Sequence, residues 1–98
     1  MMRSFAVRVT PRFERLARKL RREHRDFDQQ AREAARILAA DPYNRSREHD
    51  IKKLHSVPEG EGGYRLRLAR WRFRYDIWPD RQEVELHYCG PRREDTYS

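Results

Sequence analysis

Arginines occupy alternate positions along two neighbouring stretches of the sequence, 64–68 and 71–77. Side chains point alternately to the two faces of a β-strand. As strands, both stretches would carry arginines on one face and apolar residues on the other. The guanidinium group presents planar, paired donors that match phosphate oxygens. The pattern therefore predicts a phosphate-binding sheet face that contains Arg65, Arg67, Arg72 and Arg74.

The connection between these stretches sets which arginines face each other. Only Ala69 and Arg70 separate them, which predicts a β-hairpin with a two-residue loop. That register places Arg67 opposite Arg72. It also places Arg65 opposite Arg74, two residues further from the turn. Like charges directly opposite destabilise a sheet. Such pairs predict either acidic neighbours or a polyanionic ligand at this face.

Both explanations of the arginine pairs are open at the level of the sequence. Glu83, Glu85 and His87 alternate in the next stretch, and their parity would place them beside the arginines as a solvated ion-pair ladder. Such surface pairs contribute only about 0–1 kcal/mol each. Phosphate binding is the favoured interpretation, because four arginines outnumber these carboxylates. The loop and the tail would add charge if they fold towards the same face, through Lys52, Lys53, Arg92 and Arg93.

The segments before the hairpin predict a strand and two helices. Apolar residues alternate over 4–9, which predicts a strand. Apolar residues then recur at helical spacing from Pro11 to about Arg22, and again from about Asp26 until Asp41 and Pro42 end the pattern. The stretch 43–63 is polar and predicts a loop.

These segments together predict an α+β fold. Within the predicted loop, a short anchored stretch is expected at Ile51 and Leu54. The stretch 83–88 alternates like the two before it and completes a predicted antiparallel meander. We expect an N-terminal strand, a helical hairpin and this meander, which together form one sheet with the helices packed on its apolar face.

Composition limits the class of protein. Ninety-eight residues predict a single domain over 1–98, and a net charge of +7 indicates a polyanionic partner. The single cysteine, Cys89, cannot form an internal disulfide, and no Cys/His spacing suggests a metal site. No apolar run predicts a signal peptide or a membrane span. A cytoplasmic protein is expected.

Taken in order, these segments resemble the RelE/ParE toxin superfamily. The resemblance is carried by Asp41 and Pro42, by Lys53 with Leu54, by YRLRL at 64–68, by WRFRY at 71–75 and by REDTY at 93–97. The superfamily typically reads K-L, then Y-R-I-R-x-G-D-Y-R-V-I-Y, then H-R-x-D-x-Y. The match covers nearly the whole chain and implies the RelE-like fold.

The resemblance also implies a function, that of the toxin in a type II toxin–antitoxin pair, with the RelE branch favoured. Members of that branch enter the ribosomal A site and cleave messenger RNA without a metal or other cofactor. The RNA 2′-hydroxyl attacks the adjacent phosphate and expels the 5′-hydroxyl. This reaction needs a base, cations for the charge that develops on phosphate, and an acid for the leaving oxygen.

Site roles are carried over from the superfamily by position. Arg65, Arg67 and Arg72 would grip and stabilise the phosphate. Arg93 would assist, and Tyr97 would stack on a base or orient it. The predicted positive surface supplies further candidate RNA-binding residues: Lys52, Lys53, Arg74 and Arg92.

The sequence departs from the superfamily pattern at three points. Arginines replace the lysines that some members use, so a general base would have to be His87, Glu94 or Asp95. For His87 we favour a paired, structural histidine. Ala69-Arg70 stands where Gly-Asp is usual, and Arg92 stands where the tail histidine is usual.

Two other functions are compatible with the same outline. One is a ParE-like inhibitor of DNA gyrase, and the other is an RNA-binding module without catalytic activity. In each case we expect an acidic, partly disordered antitoxin that folds as it binds. The ribosome and messenger RNA are expected partners of the favoured function only.

Overall fold

The computed structural model describes residues 4–91, which form five strands and two helices. The helices are α1 (Pro11–Glu23) and α2 (Phe27–Ala40). The strands are β1 (Ala6–Val9), β2 (Asp50–Lys53), β3 (Tyr64–Leu68), β4 (Trp71–Trp78) and β5 (Glu83–Pro91). All five belong to one sheet in the order β1-β5-β4-β3-β2. The predicted α+β class and order of elements are confirmed.

The two helices begin and end near the residues that the sequence indicated. The Thr10 hydroxyl accepts a hydrogen bond from the Phe13 backbone N–H, and Pro11 occupies the first turn, where its missing N–H costs nothing. Helix α1 ends at Glu23, and α2 ends at Ala40, before Asp41 and Pro42. Neither helix, in the part of the chain described, is long and apolar enough to cross a membrane.

The predicted hairpin register is confirmed. Strands β3 and β4 pair antiparallel with Arg67 opposite Arg72 and Arg65 opposite Arg74. Strand β5 extends the meander on the other side of β4. Strand β1 then pairs with β5 in parallel, so the sheet is mixed.

The prediction of a loop over 43–63 is wrong in one part. Asp50–Lys53 forms β2, which pairs antiparallel with β3 and places Ile51 opposite Leu66. A four-residue segment with one apolar side chain has no readable periodicity. Its extended conformation comes from hydrogen bonds to β3, which lies more than ten residues further along the chain.

The core lies between the helices and one face of the sheet. Helix α1 contributes Phe13, Ala17 and Leu20, and the fully buried rings of Phe27 and Trp71 meet edge to face. The other buried side chains of this cluster come from α2 and the meander: Ala34, Ile37, Leu38, Leu66, Phe73, Tyr75, Ile77, Val84, Leu86 and Cys89. The expected packing of both helices on one sheet face is confirmed.

Two buried side chains show ionisation behaviour that follows from their burial. The Tyr75 hydroxyl donates a 2.7 Å hydrogen bond to the carbonyl of Pro42, and burial raises its pKa far above the usual range. Burial also raises the pKa of the Cys89 thiol to about 12. A buried thiol that keeps its proton is a small core residue, not a nucleophile.

The β3–β4 turn is fastened to the helical hairpin by Asp26. Ala69 has φ of 56°, a left-handed conformation that usually favours glycine. The next residue, Arg70, donates a 2.7 Å hydrogen bond to the Asp26 carboxylate, and Trp71 Nε1 donates another of 2.9 Å. The two hydrogen bonds hold the pKa of Asp26 well below its usual range, with the Arg70 contribution the larger.

We therefore expect Asp26 to contribute to the loss of stability in acid. Its folded pKa is lowered, so its contribution is complete above the unfolded value of about 4 and is lost as pH falls further. Urea unfolding of the wild type and of Asp26→Asn between pH 2 and pH 7 tests this. The difference should be largest at neutral pH and shrink below about pH 4. A difference independent of pH would contradict this assignment.

Candidate functional site

Four arginines lie on the sheet face opposite the helices, which we call the arginine face. Cross-strand pairing places Arg65 and Arg67 of β3 beside Arg74 and Arg72 of β4. Arg65 is buried, with 7% of its surface exposed, and the other three are half-buried. Because their stems are partly covered, the guanidinium groups are restrained in direction, which suits a preorganised anion site.

Asp50 of β2 is an acidic member of this face that sequence reasoning did not identify. Its carboxylate lies 3.4 Å from Arg65 Nη2 and 3.3 Å from Arg67 Nε. One carboxylate therefore contacts two guanidinium groups. The alternation of Asp50 with Ile51 was the available signal, but four residues are too few for it to be distinguished from a loop.

The alternative interpretation, an ion-pair ladder between the arginines and Glu83 and Glu85, does not match the observed pairing of β4 with β5. On β5 the Cα partners of Arg72 and Arg74 are Gly90 and Tyr88, whereas the two glutamates align with Trp78 and Asp76. Their carboxylates pair with cations elsewhere. Glu83 contacts Arg8 and Arg81, and Glu85 contacts Arg8.

The two lysines expected to extend the positive surface lie on opposite faces of β2. Lys52 is the Cα partner of Arg65 and shares the arginine face. Lys53 pairs with Tyr64, and its Nζ lies 4.7 Å from the centre of that ring, on the helix side of the sheet. Of the two, only Lys52 lies on the predicted surface, because adjacent strand residues point to opposite sides.

A buried carboxylate organises the loop that borders the arginine face. Asp76 is 5% exposed and accepts hydrogen bonds from the backbone N–H groups of Gly60, Gly62 and Gly63, at 2.9–3.3 Å. His87 Nε2 lies 2.8 Å from the same carboxylate. Hydrogen bonds to a charged acceptor are stronger than neutral ones. Asp76 therefore anchors this turn to β4.

Arg74 fastens the same loop from its carbonyl side. Its Nε donates to the Gly62 carbonyl at 3.1 Å, and its Nη2 donates to the Glu61 carbonyl at 3.0 Å. Gly62 has φ of 81°, and a Cβ there would lie 3.2 Å from the Arg74 Cβ. Glycine permits both the backbone conformation and this close approach. Arg74, predicted to bind RNA, thus holds the loop against the sheet.

His87 is a paired histidine, the alternative that the sequence favoured. Its Nε2 lies between the carboxylates of Asp76 and Glu85, at 2.8 and 3.2 Å. Glu85 also accepts a hydrogen bond from Trp78 Nε1. In residues 4–91 these three acidic and imidazole groups are the one set with donor atoms close enough for a metal, within 4.8 Å of one another. Protein hydrogen bonds already engage all three.

A β-bulge brings Tyr88 onto the arginine face. The β4–β5 register shifts between Arg74 and Tyr75, so Tyr88 and Gly90 occupy positions that simple alternation from Glu83 would assign to the core side. The Tyr88 ring lies over Gly90, where any Cβ would collide with its hydroxyl. This hydroxyl is therefore beside the β5 partner of Arg72. Sequence reasoning missed it because a bulge changes the parity of a strand.

The predicted tail residues Arg92, Arg93 and Tyr97 lie outside the described residues, as do Glu94 and Asp95. Pro91, the last described residue, is the Cα partner of Trp71. Pro91 therefore lies in the row next to Arg72.

Comparison with known proteins identifies the architecture. No protein-family model matches the chain, and no curated protein matches it significantly. A chain of the archaeal RelE–RelB complex from Pyrococcus horikoshii OT3 superposes with a TM-score of 0.67 at 22% identity, covering 94% of this chain and 99% of that one. A chain of the toxin–antitoxin complex RelBE2 from Mycobacterium tuberculosis gives 0.70 at 20% identity, covering 96% and 98%.

At these identities the likeness concerns the fold. It includes the N-terminal strand, the helical hairpin and the sheet that carries the arginine face, because the match extends over nearly the whole of each chain. This chain therefore has the RelE-like fold that the order and spacing of its motifs predicted.

Proposed function

We propose that this chain is the toxin of a type II toxin–antitoxin pair and cleaves messenger RNA on the ribosome. The observation that carries the proposal is the arginine face, where β3 and β4 place four guanidinium side chains in two directly opposed pairs. Arg72 lies directly across from Arg67. A polyanion would offset the repulsion between these groups. Similarity to chains from two toxin–antitoxin complexes supports the same conclusion.

In the proposed reaction the RNA supplies its own nucleophile. The 2′-oxygen forms a bond to phosphorus while the bond to the 5′-oxygen breaks, which yields a cyclic phosphate and a 5′-hydroxyl. Arg67 and Arg72 stabilise the charge that develops on the phosphate oxygens, because fixed cations beside the reacting group lower the barrier. Arg65 holds the neighbouring phosphate, and Arg93 and Tyr97 of the tail assist at the base.

The proposed reaction also needs a group that takes the proton from the 2′-hydroxyl and a group that donates one to the leaving 5′-oxygen. Arginine cannot serve as a base, because it stays protonated in proteins. His87 is engaged by two carboxylates, which favours a structural role over a base. The Tyr88 hydroxyl lies next to Gly90, the β5 partner of Arg72, and is a further candidate. Glu94 and Asp95 complete the set of candidates.

The proposal includes a partner and a location. An acidic antitoxin would neutralise the toxin by covering basic surface, as expected for a chain with a net charge of +7. The archaeal structure that this chain resembles is a RelE–RelB complex. We place the protein in the cytoplasm, where ribosomes are found, and treat residues 1–98 as one functional domain.

Primer extension on a defined messenger RNA tests the function. Purified ribosomes stalled with a known codon in the A site are incubated with the protein, and the same RNA is incubated without ribosomes. We expect discrete cuts at the A-site codon only when ribosomes are present. Supercoiling by purified gyrase, measured with the same preparation, should be unaffected. Intact RNA at every concentration, together with trapped gyrase–DNA complexes, would overturn the proposal in favour of the ParE-like alternative.

A further inference from the structure

Two carboxylates and an imidazole meet at one point beside the 60–63 turn. Asp76 of β4 and Glu85 of β5 are Cα partners, and both carboxylates approach the same ring nitrogen of His87. This nitrogen, Nε2, lies 2.8 Å from Asp76 Oδ2 and 3.2 Å from Glu85 Oε1. Their ligand atoms all lie within 4.8 Å of one another. We call these three residues the His87 cluster.

The β-bulge between β4 and β5 creates the His87 cluster. The pairing of these strands shifts by one residue, and His87 is the extra residue on β5. An extra residue is left out of the regular ladder, and bulges commonly redirect a side chain next to a functional site. The imidazole of His87 is thereby available to both carboxylates.

At most one hydrogen lies at the centre of this cluster. Nε2 of an imidazole carries no more than one, and two carboxylate oxygens approach it. A cation at the same point would contact all three atoms at once. The separations suit such an ion, because ligands at right angles on bonds of about 2.1 Å are about 3.0 Å apart. The two measured separations lie on either side of that value.

Other donors hold both carboxylates in position. Asp76 Oδ1 accepts hydrogen bonds from the backbone N–H groups of Gly60 and Gly63. Glu85 Oε2 accepts one from Arg8 at 3.3 Å. The second oxygen of each carboxylate is therefore engaged, which directs the first oxygen at Nε2. Outer hydrogen bonds of this kind orient metal ligands, and their loss typically weakens binding about 10–100-fold.

We propose that the His87 cluster binds one divalent transition-metal ion, through Asp76 Oδ2, Glu85 Oε1 and His87 Nε2. The ion takes the place of the hydrogen on Nε2. An imidazole ligand favours Zn²⁺ and its neighbours in the first transition row over Mg²⁺ and Ca²⁺, which prefer oxygen. The side chains of His87 and Glu85 are 19% and 20% exposed, so water can complete the coordination.

The role of this site is structural and is independent of the proposed function. Asp76 also accepts hydrogen bonds from the backbone of the 60–63 turn. An ion that fixes the carboxylate of Asp76 therefore stabilises the turn against β4. Binding to the folded protein alone also raises the stability of the whole domain.

Calorimetric titration of the metal-free, untagged protein with Zn²⁺ tests the site. The variants are His87→Gln and Glu85→Gln, and the control is His49→Gln, which removes a histidine 3.9 Å from a different carboxylate, that of Asp41. We expect the wild type and the control to bind one equivalent with the same affinity. Both cluster variants should bind at least about tenfold more weakly. Circular dichroism checks that each is folded, and Glu85→Gln carries the comparison if His87→Gln unfolds.

Amide hydrogen exchange provides a readout at the site itself. Saturating Zn²⁺ should slow exchange at Gly60, Gly62 and Gly63 in the wild type and should raise its melting temperature. Neither change is expected in His87→Gln. The same concentration of Mg²⁺ should leave both proteins unchanged.

Three results would overturn the inference. Absence of saturable Zn²⁺ binding by the folded wild type would leave the His87 cluster as an ion pair only. Undiminished affinity in both cluster variants would place the ion elsewhere on the chain. Equal protection by Mg²⁺ would show a general response to negative charge. None of these measurements uses RNA or ribosomes, so failure of the proposed nuclease activity would not affect them.

Discussion

Arg72→Ala should reduce ribosome-dependent cleavage by about 10²–10³-fold, the loss typical when a fixed donor to a developing anion is removed. Arg72 lies at the centre of the face, with Arg67 as its partner on one side and Gly90 on the other. The Tyr88 ring occupies the space that a side chain at Gly90 would fill. Single-turnover cleavage of messenger RNA in stalled ribosomes measures the effect on the chemical step.

The matched control is Arg81→Ala, which also removes one arginine from the meander. Arg81 is exposed and contacts Glu83, away from the arginine pairs. Its loss should change the cleavage rate less than about threefold, since exposed ion pairs contribute little. Equal rates for the wild type and Arg72→Ala would remove Arg72 from the reaction and, with it, the arginine face as the site of phosphate stabilisation.

Asp76→Asn should lower the free energy of unfolding by about 3 kcal/mol, because it removes a buried charged acceptor from several donors. Three backbone N–H groups of the 60–63 turn and His87 share that carboxylate. An asparagine has one acceptor oxygen, and its amide N–H groups would face some of these donors. Urea unfolding monitored by tryptophan fluorescence measures the loss.

The control for Asp76 is Asp80→Asn in the exposed turn between β4 and β5, where a change below about 0.5 kcal/mol is expected. Local release of the loop has its own readout, because protease cleavage between Pro58 and Gly63 should accelerate in Asp76→Asn and not in Asp80→Asn. A variant at Asp76 that unfolds at the wild-type urea concentration would show that the carboxylate does not anchor the turn.

The hairpin and the helices follow from local patterns. Alternation over 64–68 and 71–77, with two residues between them, has one register that buries all the apolar side chains, and the structure adopts it. Thr10 and Pro11 specify the start of α1 through interactions within one turn. Each of these features depends on residues close in sequence, so the signal is present in any short window.

The details of the candidate site depend on contacts between distant segments. Asp50 reaches Arg65 and Arg67 only because β2 pairs with β3. The 60–63 turn lies against β4 because Asp76 and Arg74 bind its backbone. No short window of sequence contains both members of such contacts, so periodicity cannot predict them.

The sequence by itself determined the α+β order of the helices and of the meander, the arginine pairs and the positive charge, because alternation, helix caps and composition act locally or add up along the chain. The tertiary structure decided where the individual charged and polar side chains lie and which groups they contact. The β-bulge in the pairing of β4 with β5 places Tyr88 opposite Arg74. Arg74 in turn donates a hydrogen bond to the carbonyl of Gly62 in the 60–63 turn. The tertiary structure also packed α1 against the apolar face of the sheet, through Phe13, Ala17 and Leu20. Packing and long-range hydrogen bonding, which set these positions, exist only once the chain has folded.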